Sequence, residues 1–188
     1  MFDQPNSTIW HRDVPRLDAS IVTLGAFDGV HSGHQALISG AVSRARASGV
    51  PSVVCTFDPP PKVFFGRAAQ LCPLAEKLAR ISALAPDHVV VFSFDETLRS
   101  MTPAAFMARL SRLSPQEIRV GGDFRFGAKQ AGDVDLLATR FPVRIEPPVC
   151  CTAGEVVSST RIRGLLEQGR HAAAEALLRP GLGGGLAA

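Results

Sequence analysis

The chain has 188 residues, 46% of them hydrophobic and 20% charged, and a formal net charge of +3. This length and balance suit one globular domain over residues 1–188, with a core from about 20 to 180 and a frayed tail at 181–188, and exclude a disordered chain. The small, scattered positive charge excludes a nucleic-acid footprint, and no run of about 18 apolar residues is present to span a membrane.

The opening stretch MFDQPNSTIWHRD is polar and has no apolar signal core, so a cytoplasmic protein is expected. Cys55, Cys72, Cys150 and Cys151 show no metal spacing, and their expected role is that of small buried hydrophobes in a reducing compartment. Ile21 to Leu24 reads as a buried strand ending at Gly25, followed by a helix from about Gly33 to Ser48 that stops at Gly49. Val53 to Phe57 is a second strand, broken by Pro59-Pro60-Pro61. Leu74 to Ala85 fits a helix, His88 to Phe92 a strand, and Pro103 to Leu113 a helix with proline in its first turn.

Ile118 to Val120 is the next strand, ending in Gly121-Gly122. Val134 to Arg140 reads as helix, Val143 to Ile145 as strand, and Ser159 to Glu167 and Ala172 to Leu178 as two closing helices. Such alternation predicts an α/β fold with a doubly wound parallel sheet. Ligands of such sheets sit beyond the carboxyl ends of the strands. Chemistry is therefore expected after Leu24, Phe57, Val120 and Val157.

The segment Gly25-Ala26-Phe27-Asp28-Gly29-Val30-His31-Ser32-Gly33-His34 leaves the first predicted strand and opens the first helix. Gly25 and Gly29 allow a sharp turn and close approach to a ligand. His31 and His34 stand three apart at a helix start, where free N–H groups and the helix dipole favour phosphate. Two imidazoles there can hydrogen-bond phosphate oxygens; alternatively, His31 caps the helix and His34 fills a polar seam. Later, Val157-Ser158-Ser159-Thr160-Arg161-Ile162-Arg163 precedes another helix. Ser159 or Thr160 can cap it, and Arg163 supplies a fork suited to phosphate. Arg161 lies about 160° from Arg163 around a helix and is expected to face elsewhere.

Together GAFDGVHSGH and VSSTRIR resemble the FMN adenylyltransferase domain of bacterial FAD synthetases, part of the nucleotidyltransferase superfamily related to HIGH-motif synthetases. The resemblance continues through Thr56-Phe57-Asp58-Pro59, Glu76-Lys77-Leu78, Phe94-Asp95, Gly121 to Gly127, Gly132-Asp133 and Leu177 to Pro180. It implies a Rossmann-like nucleotidyltransferase fold and transfer of the adenylyl group of ATP to FMN, with magnesium arriving on the nucleotide and no dedicated metal ligands.

By the same resemblance His31, His34, Ser159, Thr160 and Arg163 hold the ATP phosphates. Gly25, Phe27, Asp28 and Gly33 shape the nucleotide pocket, with Asp28 either a metal or ribose contact or a turn-stabilising residue. Asp123 and Phe126 lie toward the flavin, and Phe64 or Phe65 is the aromatic wall for its ring. Two positions depart from the family pattern: Pro60 stands where a histidine is usual, and Gly122 where an acidic residue is common. No riboflavin kinase module follows Leu177 to Pro180, so a separate riboflavin kinase is expected to supply FMN. A changed phosphorylated acceptor, or a non-catalytic nucleotide or flavin sensor, are the other readings.

Overall fold

The computed structural model describes residues 7–179, so the expected tail at 181–188 lies outside the described residues. Within them, one six-stranded sheet comprises β1 (Thr8–His11), β2 (Ser20–Leu24), β3 (Ser52–Asp58), β4 (His88–Ser93), β5 (Pro115–Gly121) and β6 (Val143–Glu146). Their order is β1-β4-β3-β2-β5-β6, and every neighbouring pair is parallel.

Parallel neighbours require crossovers. From β2 onward these are α1 (Ser32–Ser48), then α2 (Pro61–Phe64) with α3 (Leu74–Ser82), then α4 (Glu96–Ser100) with α5 (Pro103–Leu110), then α6 (Val134–Ala138). Two further helices, α7 (Ser159–Glu167) and α8 (His171–Leu178), follow β6. The chain winds outward from β2 through β3 and β4, then returns to the other side of β2 to lay down β5 and β6. That reversal makes a crevice at the carboxyl ends of β2 and β5, where such sheets bind ligands.

Alternating strand residues feed two cores, because side chains point to opposite faces of a strand. Val53, Cys55, Phe57, Val90, Phe92, Ile118 and Val120 pack with Phe106, Leu110, Phe126 and Leu137 on one face. Val54, Val89 and Val91 pack with Phe27, Ile38, Val42 and Ile81 on the other. Both faces are thereby covered, as the apolar strand runs predict. A third cluster, Ile162, Leu165 and Ala174 with Leu71 and Leu178, seats α7 and α8.

Several local features differ from the sequence reading. The strand Thr8–His11 was not anticipated, since its burial pattern carries no apolar alternation. α2 begins directly at Pro61 in the run read as a breaker, because proline is favoured at a first helical position. α3 stops at Ser82 rather than Ala85, and the last turn of the Pro103–Leu113 segment tightens to a 3-10 helix over Ser111–Leu113. The cap of α7 is Ser158, whose hydroxyl accepts from the Arg161 N–H at 3.2 Å, not Ser159 or Thr160. Of the cysteines, Cys55 and Cys72 are buried, but Cys150 is exposed and Cys151 half-buried in the hairpin before α7. No helix among the described residues is long and apolar enough to cross a membrane.

Candidate active site

The turn after β2 is strained and pinned. Phe27 and Val30 adopt left-handed backbone angles, with φ of 47° and 45°, and Gly29 has φ of 77°. Such a conformation in a β-branched valine costs free energy and persists only where the surroundings over-determine it. Here each carbonyl of the turn is engaged separately. Phe27 O accepts from the Val30 N–H at 3.2 Å, Asp28 O from the Ser159 hydroxyl at 3.1 Å, and Gly29 O from Arg80 at 2.7 Å. Val30 O accepts from the Gln35 amide at 2.8 Å.

Asp28 is the centre of that arrangement. Its carboxylate is buried, with Oδ1 accepting from the Leu71 N–H at 3.1 Å and Oδ2 paired with the Arg163 guanidinium. Arg163 also donates through Nε to Ala69 O at 2.7 Å. Of the readings open for Asp28, a structural one fits, since both carboxylate oxygens are engaged by protein groups. Arg163 correspondingly has its charge met by Asp28. Arg161 turns the other way, as its helical position predicts. It pairs with Glu155 and donates to Cys151 Sγ at 3.2 Å, and that hydrogen bond lowers the Cys151 thiol pKa.

His31 caps α1, its Nδ1 accepting from the His34 N–H at 3.3 Å. The two imidazoles also stack, with ring centroids 3.6 Å apart, and the edge of Phe27 meets His34 at 5.2 Å. Capping and a shared position at the helix mouth therefore coexist in His31. Burial pushes its pKa down to about 4, and burial followed by the charges of His31 and Lys77 holds His34 well below the usual range. Both rings are neutral near pH 7. His34 Nδ1 is buried with no hydrogen-bond partner among the described residues.

Gly25 and Gly33 are sites of close approach. A Cβ on Gly25 would lie 2.8 Å from the Phe27 ring, and one on Gly33 would lie 3.3 Å from His31 and 3.5 Å from Val157 O. Lys77, wholly buried beneath this region, donates to Phe57 O at 2.6 Å. Burial lowers its pKa, while Asp58 and Asp28 oppose that shift.

Beside the start of α7 opens a cleft of about 480 Å³, lined by Lys62, Phe65, Arg67, Gln130, Thr160 and Arg163 among others. Thr160 and Arg163 from one motif thus meet Phe65. Of the two candidate aromatics, Phe65 lines the cleft, and Phe64 packs edge-on against it at 5.4 Å. Phe94 supports both rings, and the guanidinium carbons of Arg67 and Arg99 lie 5.3 and 5.7 Å from the Phe65 centroid. Phe126, expected toward the flavin, is buried in the core against Phe106 and Phe124 and is not among the residues lining the cleft. Asp123 is exposed in the turn after β5 and is not among the residues lining the cleft. Sequence reading missed Lys62, Arg67 and Gln130, which line the same cleft as Thr160 but come from α2, the segment after it and the turn before α6.

The sequence profile of the FAD synthetase family matches residues 14–161. A relative from Geobacillus thermodenitrificans (strain NG80-2) is 49% identical over 162 residues, 86% of this chain and 90% of its own length. Relatives from Pseudomonas fluorescens and Escherichia coli (strain K12) are both described as bifunctional riboflavin kinase/FMN adenylyltransferase. They are 37% and 34% identical over 89% and 86% of this chain. The chain spans only 57% and 54% of those two proteins. A crystal structure described as a macrolide-efflux protein from Streptococcus pneumoniae superposes with a TM-score of 0.80 at 28% identity, covering 92% of this chain and 62% of that one. The doubly wound, Rossmann-like sheet is thus common to both.

Proposed function

We propose, because this chain belongs to the FAD synthetase family, that it is an ATP:FMN adenylyltransferase acting as one nucleotidyltransferase domain. An oxygen of the FMN phosphate attacks the α-phosphorus of ATP. The bond from that phosphorus to the bridging oxygen breaks, and pyrophosphate leaves with the electron pair. The acceptor phosphate is already ionised near neutral pH, so the protein's task is alignment and electrostatic stabilisation rather than proton removal.

The observation that carries this reading is the joining of two helix mouths through Asp28, which holds the start of α7 against the turn before α1. Both mouths present backbone N–H groups to an anion. His31 and His34, held neutral by burial, supply N–H donors to phosphate oxygens as charge shifts toward the leaving group. Thr160 and the first turn of α7 serve the same nucleotide, while Ser159 and Arg163 hold Asp28 and, through it, the turn. Gly25, Phe27 and Gly33 set the shape of the nucleotide side. Phe65 offers the acceptor's flat ring an aromatic wall, and Asp123 contributes from the β5 turn.

Magnesium would enter with ATP, held by phosphate and water oxygens; both Asp28 carboxylate oxygens are engaged, by Arg163 and by the Leu71 N–H. FMN is made by phosphorylating riboflavin, and a riboflavin kinase of the kind named in the relatives' descriptions supplies it. We assign the reaction to the cytoplasm, where ATP and FMN meet.

The test is pyrophosphate release by purified protein with ATP, magnesium and FMN, against the same mixture lacking FMN. FMN-dependent release with FAD appearing, lost in His31→Ala, supports the reading. ATP binding without release overturns FMN as acceptor and favours a different phosphorylated acceptor or a sensor. That outcome would fit the absence of a side-chain donor at Pro60, which here sits at the N-cap of α2.

A further inference from the structure

The charges around the cleft are unequal in their freedom. Arg163 is paired with Asp28, and Arg161 with Glu155 outside the cleft. Arg67 lies over the Phe65 ring. Lys62 takes part in no ion pair among the described residues, and its Nζ stands 3.5 Å from Thr160 Oγ1 across the cleft. Lys62 also precedes Phe65 by three positions, and residues three apart on a helical turn share a face.

From these contacts we infer that Lys62 is the residue that recognises the phosphate of the acceptor, a phosphomonoester whose aromatic portion rests on Phe65. This rests on the adenylyltransferase reading and names a group that reading did not include. An in-line displacement brings two anions together, the acceptor phosphate and the α-phosphate, so a mobile cation is needed where they meet. A lysine ammonium is a compact charge on a flexible stem, suited to a phosphate group without a fixed fork geometry. At Lys62 it stands 3.5 Å from Thr160 at the start of α7 and lines the same cleft as Phe65, the C-cap of α2. It also supplies a donor two residues from Pro60, which has none on its backbone or side chain. Glu167, at the other end of α7, lines the same cleft without pairing with Lys62, leaving the ammonium free for an incoming anion.

Lys62 is exposed, so its replacement leaves the core intact. The experiment measures flavin binding by fluorescence, with FMN and riboflavin as paired probes, for the wild type, Lys62→Met and Lys62→Arg. ATP binding and pyrophosphate release are followed on the same preparations. The wild type is expected to bind FMN about tenfold or more tightly than riboflavin, since a hydrogen bond to a charged group is worth at least that factor. Lys62→Met should remove the preference while riboflavin binding stays unchanged, and Lys62→Arg should restore part of it. Equal binding of the two flavins by the wild type, or no flavin binding, overturns the inference. So does a preference that survives in Lys62→Met, an equal loss for both flavins, or a loss confined to ATP. An active enzyme with an unaltered Lys62→Met variant rejects the lysine alone. A phosphate preference lost in Lys62→Met without turnover in the wild type rejects the activity and retains the lysine.

Discussion

Asp28 and Arg163, 135 positions apart in the chain, meet as an ion pair, the carboxylate buried and the guanidinium partly so, that joins the turn after β2 to the first turns of α7. Both motifs singled out in the sequence therefore form one structural unit, and the arginine's charge is met before any ligand arrives. Removing one partner of a buried pair leaves the other charge uncompensated, at a cost of about 3–5 kcal/mol. Arg163→Ala should lower stability in urea by about that much, and Asp28→Asn by less, because the amide still accepts from the Leu71 N–H. The double variant Asp28→Asn/Arg163→Met should be more stable than Arg163→Ala. Full stability in Arg163→Ala would contradict the structural role and return Arg163 to the phosphates.

His31 makes stability depend on acid. Its folded pKa of about 4 lies below the ordinary value of 6.5, so the unfolded chain binds the proton more readily. The contribution is present above pH 6.5 and is lost as pH falls toward 4. Between pH 7 and 5 the loss from this group is about 2 kcal/mol, and His34 shifts in the same direction. His31→Asn retains a capping side chain and should show a shallower fall in urea stability over that range. An unchanged pH profile would mean that His31 is not the group responsible.

Gly25 is confined by the Phe27 ring, which would stand 2.8 Å from an added Cβ and is itself fully buried. Gly25→Ala should cost about 1–3 kcal/mol through overpacking. In Gly25→Ala/Phe27→Leu the two changes should cost less than their sum, because the smaller side chain relieves the contact. Additive losses in denaturant midpoints would show that the two residues do not collide.

Lys77→Met tests the buried ammonium. It removes the donor to Phe57 O and the cation near Asp58 and Asp28, at a cost of about 1–3 kcal/mol in a denaturation experiment. Because the Lys77 charge helps hold the His34 pKa down, after burial and His31, an NMR titration should show His34 moving upward in this variant. A His34 resonance that titrates as in the wild type would separate the lysine from the histidine pair.

Much of this architecture is legible in local patterns. The apolar runs at Ile21–Leu24, Val53–Phe57 and His88–Phe92 mark strands buried on both faces, and glycine at position 49 takes the left-handed angle that ends α1. The two motifs are legible as well, since a glycine-rich turn before a helix and a serine-rich cap before another each carry a local anion-binding logic. The edge strand Thr8–His11 lacks such a signal, because pairing with β4 satisfies its backbone while Trp10 alone of its side chains packs on the core.

What tertiary structure decided is how the motif residues divide their work. Sequence spacing puts His31 beside His34, yet only packing makes their rings stack and keeps them neutral. Arg163 and Phe126 both fit a ligand role by type; the fold pairs the first with Asp28 at the edge of the cleft and packs the second in the core. Lys62 has no motif of its own and gains its place only because α2 and α7 face each other across a cleft. Local sequence sets conformational preference and period, whereas charge compensation and burial depend on contacts between segments far apart in the chain.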